Sequence, residues 1–214
     1  MGAKTWMLMY AESEPAAILR ARPVLDRAAS QAMLEQLFPG KRYTPQQDET
    51  LARACPHGRD VRLACFPGLS IVAAGELAID NPSQLDPRFL EYAGGRTVYL
   101  HIMYSVVDWF AYAIWKDGQW QRSLSVTPDG GVIEDLGERR AFELPYWAGK
   151  FPAIDPADDE PDTYPLPFHP LDLGEAALED LFGYQLEGDN GPSLLDPASI
   201  PLMAFKAPRW WKFW

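Results

Sequence analysis

Cysteine is scarce in this sequence, with only Cys55 and Cys65 among 214 residues. The two residues are not arranged as C-x-x-C, so nothing supports a thiol-redox motif or a paired zinc ligand. Few, irregularly placed cysteines are typical of proteins from reducing compartments, where disulfides rarely persist. We therefore expect two buried free thiols and a cytoplasmic location, with a disulfide as the alternative.

Long apolar runs are missing as well. The longest, residues 106–115, is interrupted by Asp108 and is shorter than the roughly 20 residues that cross a bilayer. The first residues lack an apolar segment of signal-peptide length, and Trp6 stands where a myristoylation motif has serine or threonine. The sequence therefore predicts neither a membrane span nor a targeting signal.

Positive charge is outnumbered, since 19 Lys and Arg residues face 30 Asp and Glu residues and give a net charge of −11. Neutralising nucleic-acid phosphates requires clustered cations, so a nucleic-acid partner is not expected. An anionic membrane surface is disfavoured for the same reason. A basic protein partner would suit this charge.

The familiar catalytic and ligand-binding motifs are absent. The sequence contains no G-x-S-x-G, S-x-x-K, H-E-x-x-H, P-loop or G-x-G-x-x-G pattern. We predict no cofactor and no metal, and the common enzyme classes lose their usual support. An enzyme with an unusual active site stays open as a hypothesis.

Strand and helix periodicities are what the chain does contain. Asp117-Gly118 is a strong hairpin signal, because a type I′ turn needs positive φ at both central positions. We predict a single α+β domain over residues 1–214, with a mixed, mostly antiparallel sheet and helices packed on it. The predicted strands are residues 4–11, 61–66, 70–74, a central β-meander at about 97–136, and 202–206; the predicted helices are residues 15–37, with a second helix starting at Pro23, and 172–182, ended by Gly183.

Two segments differ in composition from the rest. Residues 145–170 hold seven prolines and an acid run that we interpret as a solvated surface loop, or as a surface for a basic partner. The tail, residues 207–214, interleaves aromatic and basic side chains and favours docking on its own domain or on a second subunit. The candidate partner surface consists of Asp158, Asp159, Glu160, Asp162, Trp210, Trp211 and Trp214.

Turn positions predict which side chains of the meander share a face. Tight turns at Val106-Val107 and Asp117-Gly118 would place Tyr112 opposite both His101 and Ser123, and the third turn would place Ser125 opposite Glu134. The resulting face mixes aromatic walls with few polar groups, as ligand pockets do. Its candidate binding residues are His101, Met103, Asp108, Phe110, Tyr112, Ser123, Ser125 and Glu134. Alternatively, a helix covers this face, and hydrogen bonds satisfy His101 and Tyr112 within a second core.

His169 lies between prolines just ahead of a predicted helix. It is a further candidate for the binding face, where it could meet His101 and Glu134 as a base or metal ligand. The alternative is that His169 is a rigid turn residue.

Several blocks of the sequence are specific: "LFPG", "CFPG", "SVVDWFAYAIW", "RSLSVTPDGG", "LPYWAG" and "LPFHPLDLGEAALEDLFGYQLEG". Together they resemble a family of bacterial proteins catalogued only as a domain of unknown function. The resemblance runs from Met1 to about Gly188 and implies no activity, ligand or catalytic residue.

Three functional hypotheses follow from these observations. The first is a cytoplasmic interaction module, of the immunity or antitoxin kind, whose acidic surface binds a basic partner. The second is a small-molecule-binding protein or unusual enzyme that uses the face of His101, Tyr112, Ser123 and Glu134. The third is self-association through the tail.

Overall fold

Antiparallel pairing organises the chain. The computed structural model describes residues 2–154, 164–187 and 193–208, in which ten strands form one sheet and every pair is antiparallel. The predicted α+β class is confirmed, whereas the sheet of the described residues is antiparallel rather than mixed. The strands are β1 (Lys4–Ala11), β2 (Thr44–Pro45), β3 (Glu49–Thr50), β4 (Val61–Phe66), β5 (Leu69–Ala74), β6 (Thr97–Tyr104), β7 (Trp109–Lys116), β8 (Gln119–Thr127), β9 (Gly131–Gly137) and β10 (Pro201–Lys206).

The strand order places β1 in the interior of the sheet. The order is β2-β10-β4-β5-β1-β6-β7-β8-β9, and β3 also pairs with β10.

The candidate partner surface falls outside the described residues. Its members are Asp158, Asp159, Glu160, Asp162, Trp210, Trp211 and Trp214.

Five α-helices occur in the described residues: α1 (Pro15–Arg20), α2 (Arg27–Leu37), α3 (Pro87–Glu91), α4 (Leu144–Trp147) and α5 (Pro170–Phe182). The second helix does not start at Pro23, because Asp26 caps α2 by accepting a hydrogen bond from the Ala29 amide at 2.9 Å. Gly183 ends α5 as predicted, in a left-handed conformation with φ of 78°. No helix of the described residues combines the length and apolar character needed to cross a bilayer.

Both faces of the sheet are covered by apolar clusters. On one side α5 packs on β6 and β7, and its Leu173, Ala177 and Leu178 are buried. On the other side α2 packs on β4, where Met33 and Leu34 are buried. Each sheet face is therefore a core.

A bulge in β8 changes which residues share a face. The Asp117-Gly118 turn has positive φ at both residues, 53° and 75°, and Lys116 pairs with Gln119 across it. Trp115 then pairs with Trp120 and Ile114 with Arg122, so that Gln121 is an extra residue. An extra residue shifts the alternation of every later side chain in the strand. Tyr112 consequently pairs with Leu124 and not with Ser123, and that prediction was wrong.

The bulge turns Arg122 toward the side of Tyr112, where it meets a buried carboxylate. Arg122 donates from Nε to Glu143 Oε1 at 2.8 Å and from Nη2 to Oε2 at 2.6 Å. The two side chains are 1% and 0% exposed. Tyr112 and the Arg140 amide also donate to Glu143 Oε1, at 2.5 and 2.8 Å. Burial, with the neighbouring Glu143 carboxylate, raises the pKa of Tyr112, so its hydroxyl keeps the proton that it donates.

The remaining donors of Arg122 also have acceptors. Its Nη1 donates to Asp135 and, at 3.0 Å, to the carbonyl of Leu136. This ion pair holds β8, β9 and the start of α4 in one arrangement, because Arg122 or Glu143 would otherwise be a buried, unpaired charge.

We predict that Glu143→Ala lowers the free energy of unfolding by about 3–5 kcal/mol, because it leaves the Arg122 guanidinium buried without its main partner. Urea denaturation measures the change. Glu138→Ala is the control, since Glu138 is exposed at the end of β9, and a change of no more than about 0.5 kcal/mol is expected. Equal stability of the two variants would show that the ion pair does not hold this corner together.

Candidate functional site

The residues predicted to form one binding face are divided between the two sides of the sheet. Met103, Phe110 and Tyr112 belong to the core beneath α5. Ser125 accepts a hydrogen bond at 3.1 Å from Trp109 Nε1, whose ring lies in the opposite core. The predicted pocket is therefore not formed, because the bulge at Gln121 places the serines on the other side.

Glu134 is occupied by hydrogen bonds on that second side. It pairs with Ser125 in the ladder, as predicted. Its carboxylate accepts from the Ser123 hydroxyl, and from the Ser83 amide and hydroxyl at 3.0 and 2.6 Å. These contacts fasten the 3₁₀ helix Pro82–Gln84 to the sheet, which is a structural use of Glu134.

His101 is sealed in the core. Its Nε2 lies 3.0 Å from the Gly174 carbonyl, which can only accept, so Nε2 carries the hydrogen. Its Nδ1 therefore accepts from the Thr5 hydroxyl at 2.7 Å. Burial lowers the pKa of His101 to about 4 and keeps the ring neutral. The alternative of a covered face with a hydrogen-bonded histidine is the correct one.

Gly174 explains how α5 comes close enough to cover His101. A Cβ at this position would lie 2.8 Å from Met103 Sδ and 3.1 Å from Phe110 Cδ2. Only glycine leaves room for this contact between helix and sheet.

His169 is the cap of α5 and does not meet His101 or Glu134. Its Nδ1 accepts from the Leu171 amide at 3.3 Å, and its Nε2 lies 3.6 Å from Asp108 in the turn between β6 and β7. His169 therefore has a structural role, although as a helix cap rather than as a turn residue. Within the described ranges no group of three or more His, Cys, Asp or Glu side chains could hold a metal ion.

A different site lies at the end of the sheet, in a cavity of about 360 Å³ beside the start of β1. We call it the Cys55 pocket. Its apolar lining comes from Ala3, Ala52 and Leu186. Its polar lining consists of Lys4, Arg53, Cys55, His57, Arg62 and Glu187.

Backbone contacts fix the cationic wall of the Cys55 pocket. The Trp6 amide donates to the Ala54 carbonyl at 2.8 Å and ties β1 to the 3₁₀ helix Leu51–Arg53. Arg62, on β4, donates to the Arg53 carbonyl. The side chains of Arg53 and Arg62 share one carboxylate, that of Glu49, at 3.6 and 3.8 Å.

Lys4 is the cation of this wall that lacks a carboxylate. Its ammonium lies 4.8 Å from the centre of the Tyr104 ring. In the described part of the chain no carboxylate lies within 4.0 Å of it. Among the described residues, Lys4 is thus a positively charged residue of the pocket lining without a carboxylate partner.

The opposite wall is formed by the segment after α5. Glu175, on α5, accepts from the amides of Leu186 and Glu187 at 2.8 and 3.1 Å. Burial raises the pKa of Glu175 to about 7, against the lowering effect of these two hydrogen bonds. These two hydrogen bonds hold the backbone of Glu187 at the pocket, and the Glu187 side chain is exposed.

Cys55 is a half-buried free thiol in this pocket. Burial raises its pKa, and the nearby charges of Lys4 and Arg62 offset only part of the effect. At neutral pH the sulfur is therefore a thiol rather than the reactive thiolate.

None of the charged groups of this pocket was predicted from the sequence. They come from β1, the residues before β4, β4 itself and the segment after α5, so no local spacing connects them. The cluster can be found only once the strand order is known.

We predict that the His101 ring does not titrate between about pH 5 and about pH 8, and ¹⁵N NMR measures this. The unfolded ring takes up a proton near pH 6.5, whereas the folded ring resists until about pH 4. This residue therefore stabilises the fold above pH 6.5, and its contribution is lost as the pH falls toward 4. A midpoint near 6.5 in the folded protein would show that the ring is not sealed.

For Cys55 we predict slow alkylation by iodoacetamide at neutral pH and a steep rise in rate toward alkaline pH, because only the thiolate reacts. Mass spectrometry locates the adduct, and the buried Cys65 is the internal control that stays unmodified in the folded protein. Rapid modification at neutral pH would identify Cys55 as an activated nucleophile instead.

Comparison with known proteins adds one finding. No curated protein and no solved structure matches the chain. A family model, described as a family of unknown function, matches residues 5–205, which is most of the sequence. The chain therefore belongs to this family, DUF6928.

Proposed function

We propose that the protein binds a small molecule in the Cys55 pocket through a carboxylate or phosphate group of that molecule. The observation that carries this proposal is the Lys4 ammonium, which has no carboxylate within 4.0 Å among the described residues. Arg53 and Arg62 stand beside it and share the single carboxylate of Glu49. A concentration of cations is unusual in a chain with a net charge of −11, and it favours binding of a carboxylate or phosphate.

The dimensions suit a ligand of modest size. Ligand pockets occupy roughly 300–1,000 Å³, and the Cys55 pocket, at about 360 Å³, is at the lower end. Ala3, Ala52 and Leu186 would contact the hydrocarbon part of such a ligand. Because parts of the pocket are exposed to solvent, salt weakens the attraction between the cations of the pocket and an anionic group of the ligand.

Binding is favoured over nucleophilic catalysis. Burial raises the pKa of the Cys55 thiol, and within the described residues no hydrogen bond from His57 activates it. A cysteine nucleophile needs a lowered pKa or an adjacent base. The chemistry of the pocket thus supports recognition of a ligand without attack on it.

A second candidate is the cytoplasmic module that binds a basic partner. The net charge of −11 and the acidic side chains Asp172, Glu179 and Asp180, exposed on α5, support it. The two free thiols support a reducing compartment such as the cytoplasm. A basic protein that is retained by the wild type and lost from Glu179→Lys/Asp180→Lys in a pull-down would support this role, and retention by the variant would contradict a role for α5.

We predict that Lys4→Ala weakens anion binding about 10- to 100-fold, the effect of losing a hydrogen bond to a charged group. Succinate and inorganic phosphate are the first probes, and affinities are measured by calorimetry at low salt. Lys116→Ala is the matched control, because Lys116 is exposed at the far end of β7, and it should bind as the wild type does.

Each variant is first compared with the wild type by thermal unfolding without ligand, so that a folding defect is not mistaken for lost binding. Equal affinity of Lys4→Ala and Lys116→Ala, or no binding of any carboxylate or phosphate by the wild type, would overturn the proposed function.

A further inference from the structure

The Cys55 pocket contains a carboxylate as well as cations. Glu187 lines the cavity on the wall opposite β4. Its Oε1 lies 3.9 Å from the position that a Cβ on Gly2 would take, which places it beside the start of the chain's first strand. In the described part of the chain, no Lys, Arg or His nitrogen lies within 4.0 Å of this carboxylate.

Lys4 and Glu187 thus share one cavity without pairing with each other. The Lys4 ammonium lies over the Tyr104 ring, and Glu175 fastens the backbone of Glu187. A cavity that is lined by a cation and by an anion that do not pair with each other suits a molecule that has both charges.

We propose that the ligand of the Cys55 pocket is a small zwitterion with an amino and a carboxylate group, an amino acid or a short peptide, an inference that rests on the proposed function. Its carboxylate lies against Lys4 and Arg53, and its ammonium lies against Glu187. Its side chain contacts the apolar wall at Ala3, Ala52 and Leu186.

The surroundings of Glu187 strengthen the negative pole. Glu175 accepts a hydrogen bond from the Glu187 amide, and Asp172 is a further acid whose charge acts on Glu175. Because burial raises the pKa of Glu175 to about 7, this second negative charge is present in part at neutral pH and grows as the pH rises. This wall weakens the binding of a simple anion, whereas it attracts the ammonium of a zwitterion.

Three matched probes separate the two poles. Leucine has both charges, 4-methylpentanoate is leucine without its amino group, and 3-methylbutylamine is leucine without its carboxylate. By calorimetry we expect the wild-type chain to bind leucine, or the dipeptide glycylleucine, at least about tenfold more tightly than either singly charged analogue.

Glu187→Gln should remove the preference for leucine over 4-methylpentanoate while leaving the affinity for 4-methylpentanoate equal or higher, because only the ammonium partner is lost. Glu138→Gln is the matched control: the same substitution at an exposed position just after β9 should keep the preference. Lys4→Ala should weaken leucine and 4-methylpentanoate alike.

The outcomes distinguish the two proposals. If the wild type binds anions but prefers neither leucine nor glycylleucine over 4-methylpentanoate, or if Glu187→Gln keeps the preference, the zwitterion inference is overturned and anion binding stands. If neither the zwitterions nor any carboxylate or phosphate binds, the proposed function itself fails.

Discussion

The extra residue Gln121 in β8 is the constraint on which the interior of this protein depends. The residues of β8 before Gln121 keep the register that the hairpin turn sets. Each residue of β8 after Gln121 points to the side opposite to the one that this register predicts. Arg122 thereby reaches Glu143, and Leu124 completes the apolar surface under α5. Without the bulge the same turn would bury serines under the helix and leave the guanidinium without its carboxylate.

Because α5 closes this surface, the interior of the sheet is not a candidate reactive site. His101 is neutral, and its two ring nitrogens form hydrogen bonds with Thr5 and Gly174. The Tyr112 hydroxyl donates a hydrogen bond to Glu143. Aromatic and polar residues are combined here because a dry interior requires each polar group to have a partner. The charged side chains without such partners within 4.0 Å among the described residues include Lys4 and Glu187, at the rim of the sheet.

Local signals predicted a large part of the fold. The type I′ turn at Asp117-Gly118, the pairing of His101 with Tyr112 and the end of α5 at Gly183 follow from turn and cap chemistry, and the structure confirms them. The bulge at Gln121 has no comparable local signature in the sequence. The Cys55 pocket was missed for another reason: strand order, which joins distant segments, cannot be derived from periodicity alone.

Chemical-shift mapping by ¹H–¹⁵N NMR tests most directly whether ligands are recognised at the rim and not within the sheet. Addition of leucine should shift the backbone amides of residues 3–4, 52–57 and 186–187 and leave those of Phe110, Tyr112 and Leu124 unchanged. Shifts concentrated at Phe110, Tyr112 and Leu124, with none around Lys4 and Glu187, would contradict a sealed sheet with a binding site at its end.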